Sequence, residues 1–71
     1  MTLGERIAYY RGALGLSQGE LAEKLGVSRQ AVSKWETDAG LPDLDRLIAL
    51  SGLYNITLDE LVKGSVPSPA P

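Results

Sequence analysis

The 71-residue chain contains no cysteine and no histidine. That excludes disulfides, thiol chemistry, zinc sites built on either residue, and histidine acid–base catalysis. The lack of cysteine also fits a cytoplasmic setting. No apolar run approaches the roughly 20 residues that a bilayer-spanning helix needs. The stretch Met1–Arg6 has no basic segment leading into an apolar core, so it does not read as a secretory signal. Positive charge is also scarce. The formal net charge is −2 and the pI about 4.9, which by itself speaks against a phosphate-rich partner. No segment alternates apolar and polar residues with period two, so no strand is expected.

What is present is a small globular composition, 44% hydrophobic, with room for one domain. Charge is unevenly spread. Residues 1–36 carry Arg6, Arg11, Lys24, Arg29 and Lys34 against Glu5, Glu20, Glu23 and Glu36, a balance of +1. Residues 37–71 carry Arg46 and Lys63 against Asp38, Asp43, Asp45, Asp59 and Glu60, a balance of −3. The acid therefore sits in the second half.

Helix-start signals recur along the chain. Thr2 to Glu5, Ser17 to Glu20 and Thr57 to Glu60 each have capping-box spacing, while Ser28 and Asp43 head two further helical stretches. Gly12 and Gly15 are read as ending the first helix and Gly26 the second. The segment Asp38–Pro42 separates the third helix from the fourth, and Asn55 the fourth from the fifth. Apolar stripes at helical spacing are Leu3, Ile7, Tyr10 and Leu14; Leu21, Ala22 and Leu25; and Leu44, Leu47 and Ile48 with Ser51. Leu53, Tyr54, Ile56, Leu58, Leu61 and Val62 read mostly as core, with some of them available to a dimer interface. The expectation is an all-α bundle of five short helices near 3–13, 18–25, 29–36, 43–54 and 58–62. Residues 1–63 form the domain. Residues 64–71, with Pro67, Pro69 and Pro71, read as an extended tail or the start of a linker.

Two helices joined by a short glycine-containing turn, Gln18 to Glu36, make a helix-turn-helix unit. Ala22 lets the second helix approach the third. Gly26 takes positive φ at the turn, Val27 plugs it, and Val32 and Trp35 anchor the third helix. At roughly 100° per residue, Arg29, Ser33, Gln30 and Lys34 fall within an arc of about 140°, with Ala31, Trp35 and Val32 on the other side. A solvated face is the default for such residues. The same side chains also suit base edges: Arg or Lys on guanine, Gln on adenine, Ser on either. Asp43, Asp45, Asp59 and Glu60 are explained by capping and charge–dipole attraction. They have no accompanying nucleophile, base or metal-ligand set, so no catalytic residue, metal or cofactor is expected.

In Gly15-Leu16-Ser17-Gln18, Leu21-Ala22, Leu25-Gly26-Val27-Ser28, Ser33-Lys34-Trp35-Glu36, Pro42-Asp43-Leu44 and Leu58-Asp59-Glu60-Leu61 the chain resembles the Cro/repressor-type, or XRE-like, helix-turn-helix family over about residues 3–63. The resemblance implies a lambda-repressor-like bundle whose third helix enters the DNA major groove. It assigns Arg29, Gln30 and Lys34, with Ser33 beside them, to base edges. Gln18, Ser28, Thr37 and Arg11 fall at the DNA backbone, Gln18 also bracing the third helix. Arg11 and Glu36 are matched as an ion pair, although an ordinary surface pair is the other reading of these two. Ala22, Gly26, Val32, Trp35 and Glu36 support the site.

The chain departs from the family at Asp38, where relatives often have Gly, in the loop Thr37–Leu41, which lacks their basic residues, and at Ala8 and Tyr9, where they often have Lys. A carboxylate at Asp38 close to phosphates would weaken binding. These departures imply few phosphate contacts, a shallow salt dependence and weak binding by a lone monomer, offset by homodimerisation on two half-sites about one helical turn apart. The expected function is a sequence-specific transcriptional regulator, a repressor occupying an operator in the cytoplasm of a prokaryotic cell or encoded by a phage. The alternative is a protein-interaction module on the same fold, such as an antitoxin or adaptor with a protein partner. No membrane role is expected within the chain.

Overall fold

Five side-chain oxygens decide where the helices begin. Thr2, Ser17, Ser28, Asp43 and Thr57 sit in extended backbone, and each accepts the backbone N–H three residues on. Each thereby satisfies one of the donors that a helix start leaves without an internal partner. In the computed structural model, which describes residues 1–64, the resulting elements are α1 (Leu3–Ala13), α2 (Gln18–Leu25), α3 (Arg29–Glu36), α4 (Leu44–Tyr54) and α5 (Leu58–Lys63). No strand occurs among the described residues. The tail expected beyond Gly64 lies outside them.

The capping boxes at Thr2 and Ser17 are complete in both directions. At Thr57 the hydroxyl accepts from Glu60, whose carboxylate instead lies 3.5 Å from the Tyr10 hydroxyl. Asp43 is the cap before α4 and not its first residue, and α5 runs one residue beyond the expected end. Gly12 lies inside α1, and the chain reverses only after Leu14. Gly26 ends α2 with φ +69, the left-handed conformation that the tight turn into α3 requires.

All five helices contribute to one core: Ile7, Leu21, Ala22, Val32, Trp35, Leu50, Tyr54 and Leu61. The Tyr54 hydroxyl reaches across this core and donates to the Ile7 carbonyl at 2.9 Å, which satisfies its only buried polar atom. Burial pushes the Tyr54 phenol well above its ordinary pKa, so it stays a neutral donor.

The α4 stripe read from the sequence is corrected. Leu50 and Tyr54, one turn apart, set its inward face with Leu47 beside them, while Leu44 and Ile48 are exposed. Ile48 is two residues from Leu50, about 200° around the helix, so both cannot be buried against the same neighbours. Leu14 is also exposed, because α1 has ended before it and it leaves the register of Ile7. Val62 flanks the buried Leu61 and faces outward.

The start of α1 is pressed onto the end of α3. Gly4 is buried there, and a Cβ on it would collide with the Trp35 carbonyl and lie 2.8 Å from both the Glu36 carbonyl and Asp38 Oδ1. Asp38 adopts φ +61, the left-handed turn its position demands. Its carboxylate, still exposed, folds back onto the start of α1. Oδ1 accepts the Gly4 N–H at 3.0 Å and Oδ2 the Thr2 hydroxyl at 2.6 Å. These bonds hold the Asp38 carboxyl below the usual carboxylate range. The structure thus gives Asp38 a role that the sequence did not show, a clasp between α3 and α1, beside the expectation that its charge opposes phosphates.

Gly4→Ala is expected to lower stability by about 2 kcal/mol through overpacking. Gly12→Ala, where a Cβ meets nothing within 4 Å, should raise it by up to ~1 kcal/mol. Thermal melts of the two variants should move in opposite directions. Because the folded pKa of Asp38 is depressed, its contribution is present above the unfolded value of about 3.9 and is lost as pH falls through the lower folded value. The melting-temperature difference between wild type and Asp38→Asn should accordingly be largest above pH ~4 and close at more acidic pH. A difference that does not change with pH would contradict this.

Candidate nucleic-acid interface

The third helix is held on one side only. Val32 is fully buried, Trp35 nearly so, and α3 packs on α2 and α1. Buried Ala22 brings α2 close. The opposite side presents Arg29, Gln30 and Lys34 to solvent, with Ser33 half-buried between them. This is the division expected from the spacing of the sequence.

These side chains meet around three surface concavities. Arg29, Gln30 and Ser33 line one of about 360 Å³. A groove of about 600 Å³ runs along the other flank of α3. There Gln30 and Lys34 face Gly40 and Leu41 across Ala31 and Trp35, with Ser28 at one end. The third, about 430 Å³, joins Arg29 to Arg11 and to Ser17, Gln18 and Gly19 at the start of α2. Arg29 thus links the outer face of α3 to the α2 N-terminus, where free backbone N–H groups and the helix dipole favour an anion. Thr37 lies apart from all three. Its hydroxyl donates to the Ser33 and Lys34 carbonyls and finishes α3. The Ser28 oxygen accepts from Ala31 N–H, which leaves its own proton free to donate outward.

Behind this surface lies one ion-pair network. Arg11 donates to Glu36 from Nε at 2.6 Å and from Nη2 at 3.1 Å, a two-point grip on the carboxylate. Its Nη1 donates to the Leu16 carbonyl at 2.8 Å. Gln18 Nε2 donates to Glu36 Oε1 at 2.9 Å. The Glu36 side chain is only 6% exposed, against 22% for Arg11. The pairing of Arg11 with Glu36 and the brace from Gln18 to α3 therefore form as the resemblance implies. Three of the five Arg11 N–H donors are already used.

Three features of the surroundings escaped the sequence reading. The wall formed by Gly40 and Leu41 carries no charge or motif to mark it. The folded-back Asp38 carboxylate depends on tertiary contact with α1. Among the described residues Arg6 has no carboxylate partner. Its guanidinium donates to the Leu61, Val62 and Met1 carbonyls, each at 2.6 Å, and so caps the end of α5. Among the described residues no cluster of acidic side chains could hold a metal ion, and no helix is long and apolar enough to cross a membrane.

Residues 7–61 match the model of a helix-turn-helix family. The chain is 41% identical over 64 residues to the HTH-type transcriptional activator BcrR of Enterococcus faecalis, covering 90% of this chain and 31% of that protein. It is 42% identical over 62 residues to the HTH-type transcriptional regulator ImmR of Bacillus subtilis, covering 87% of this chain and 49% of that one. It thus spans 31% to 49% of these relatives' length. Its fold matches the crystal structure of the P22 c2 repressor bound to a synthetic operator, with a TM-score of 0.86, 37% identity, and coverage of 92% of this chain and 98% of that one. With a turn fixed by Gly26, a supporting helix α2 and a third helix whose polar side is left open, the chain belongs to the helix-turn-helix family.

Proposed function

We propose that this chain is the DNA-reading domain of a transcriptional regulator, a repressor that occupies operator half-sites. In this reading α3 enters the major groove. Arg29, Gln30, Ser33 and Lys34 meet base edges, and Gln18, Ser28, Thr37 and the two unused N–H groups of Arg11 meet the backbone. The observation that carries it is the rigid mounting of α3, buried through Val32 and Trp35 and tied at its end by Glu36, behind an open polar face. Its relatives are named as transcriptional regulators, and its fold is that of a repressor domain crystallised on an operator. Two copies act as a homodimer on paired half-sites in the cytoplasm, and the reading assigns the chain no catalytic step.

Selection of DNA from a random pool tests this directly. A defined sequence should emerge, and Arg29→Ala or Gln30→Ala should each weaken binding to it by about 5- to 150-fold, relaxing the preference at one base pair. Failure to enrich any sequence at low salt would remove the DNA reading and leave a protein partner as the alternative.

A second variant tests the mounting. Glu36→Gln removes the charge that neutralises Arg11. It should lower stability by roughly 1–3 kcal/mol, because a group little exposed to water loses its charged partner. At the same time it should steepen the salt dependence of DNA binding by up to ~0.9 in the log–log slope, as the freed Arg11 charge becomes available to a phosphate. A salt slope equal to that of wild type would contradict the placement of Arg11 at the DNA backbone.

A further inference from the structure

Tyr9 and Tyr10, adjacent on α1, form an aromatic corner. Their rings stand 5.3 Å apart at 79°, edge to face. Tyr10 is backed by the buried Tyr54, whose ring lies 5.4 Å away at 30°, so the core fixes its orientation. Tyr9 is 58% exposed and adds nothing to that core. A tyrosine offers an apolar ring face and a hydroxyl at low entropic cost, because two torsions place the whole side chain.

This corner borders a groove of about 360 Å³, which Arg6 of α1 and Glu60, Lys63 and Gly64 at the end of α5 also line. The groove is rich in donors. Arg6 keeps two N–H groups beyond the three it gives to carbonyls. Lys63 forms no ion pair among the described residues. Tyr9 adds its hydroxyl. The one carboxylate, that of Glu60, already faces the Tyr10 hydroxyl at 3.5 Å. A fitting ligand therefore carries apolar side groups and hydrogen-bond acceptors but few donors.

The sequence holds such a segment next to the groove. Residues 65–71 read Ser-Val-Pro-Ser-Pro-Ala-Pro, uncharged, with no backbone N–H at Pro67, Pro69 or Pro71. A polyproline II segment has three residues per turn and no internal hydrogen bonds, so all its carbonyls are on offer. In that conformation Val66 and Pro69 share one face and Pro67 and Ala70 the next, while Ser65 and Ser68 fall on the third with Pro71. Two adjoining apolar faces match a corner made by two rings, and the serine face is left to water. Reach is no obstacle. Gly64 both caps α5 and lines the groove, so residue 65 starts at its rim. The turn of α1 from Arg6 to Tyr10 is about 6 Å long, and three residues of polyproline II cover about 9 Å.

We propose that the groove between α1 and the end of α5 is the docking site of residues 65–71 of this same chain, with Val66, Pro67, Pro69 and Ala70 on the Tyr9–Tyr10 corner. Aromatic-lined grooves bind proline-rich segments in this way, since little order remains to be imposed on them. A contact this small is weak between separate molecules. The direct tether through Gly64 supplies an effective concentration on the order of millimolar, which suffices for it to form. No residue of the groove belongs to α2 or α3, so the docked segment leaves the reading face open. The docking stands apart from the proposed DNA reading and fixes instead the path of the chain out of α5.

Nuclear magnetic resonance on the 71-residue chain tests this without DNA. Nuclear Overhauser contacts should join the Tyr9 ring to the Pro67 and Pro69 side chains, whose protons the ring should shift upfield. Tyr9→Ala should abolish both effects and leave the melting temperature unchanged, because Tyr9 lies outside the core. Pro67→Gly combined with Pro69→Gly, which alters no helix, should abolish the contacts from the other side and shift the Tyr9 ring signals. The contacts should persist on dilution, as a tethered ligand requires. The proposal is overturned if the wild type shows no such contacts, if they survive in Tyr9→Ala, if the proline substitutions leave the Tyr9 signals in place, or if the contacts fade on dilution, which would make a second copy the occupant.

Discussion

The carboxylate of Glu36 joins three helices at one point. It closes α3, receives two donors from Arg11 near the end of α1, and receives a third from Gln18 at the start of α2. An exposed pair of this kind contributes little, since water competes for both partners. Here the carboxylate is nearly out of water and its lone pairs are taken up by three N–H groups, so the geometry is fixed as well as favourable. Val32 and Trp35 set how deeply α3 is seated, and Glu36 sets the direction in which it leaves the core. The side chains of Arg29 and Gln30 inherit that direction.

The same contact shapes the electrostatics. Arg11 is neutralised by Glu36, and Arg6 spends its N–H groups on backbone carbonyls. Asp38, in turn, is drawn away onto Thr2 and Gly4. Charges of both signs are thus used to join helix ends, and the surface beside α3 is left with few free cations. Recognition by such a surface depends more on donor and acceptor placement at the base edges than on a broad positive field.

The parts of the fold legible in the sequence are those encoded locally. Thr2, Ser17, Ser28 and Thr57 mark helix starts because a cap acts within three residues, and Gly26 marks the turn because φ is a local quantity. The open face of α3 was legible for the same reason, as a helix of known period anchored by Val32 and Trp35. The α4 stripe was not. Leu44, Leu47, Leu50, Leu53 and Tyr54 leave apolar residues on more than one side, and only the neighbours of α4 select Leu50 and Tyr54 as the buried pair. The clasp at Asp38 and the hold of Arg6 on α5 were equally hidden, since the partners in these contacts lie 34 to 56 residues apart along the chain. How α3 meets the groove wall at Leu41 also belongs to tertiary structure.

The Arg6 contact bears on how the domain comes apart. A six-residue helix such as α5 would ordinarily fray first, because its last carbonyls have no partners. Here Leu61 and Val62 are held by a side chain rooted in α1, and Gly64, at φ +72, packs so closely on Arg6 that a Cβ would sit 2.9 Å from its Nη1. Opening α5 therefore means breaking α1's hold on its last carbonyls as well. The end of α5 is thereby more protected against local opening than an uncapped helix end of the same length.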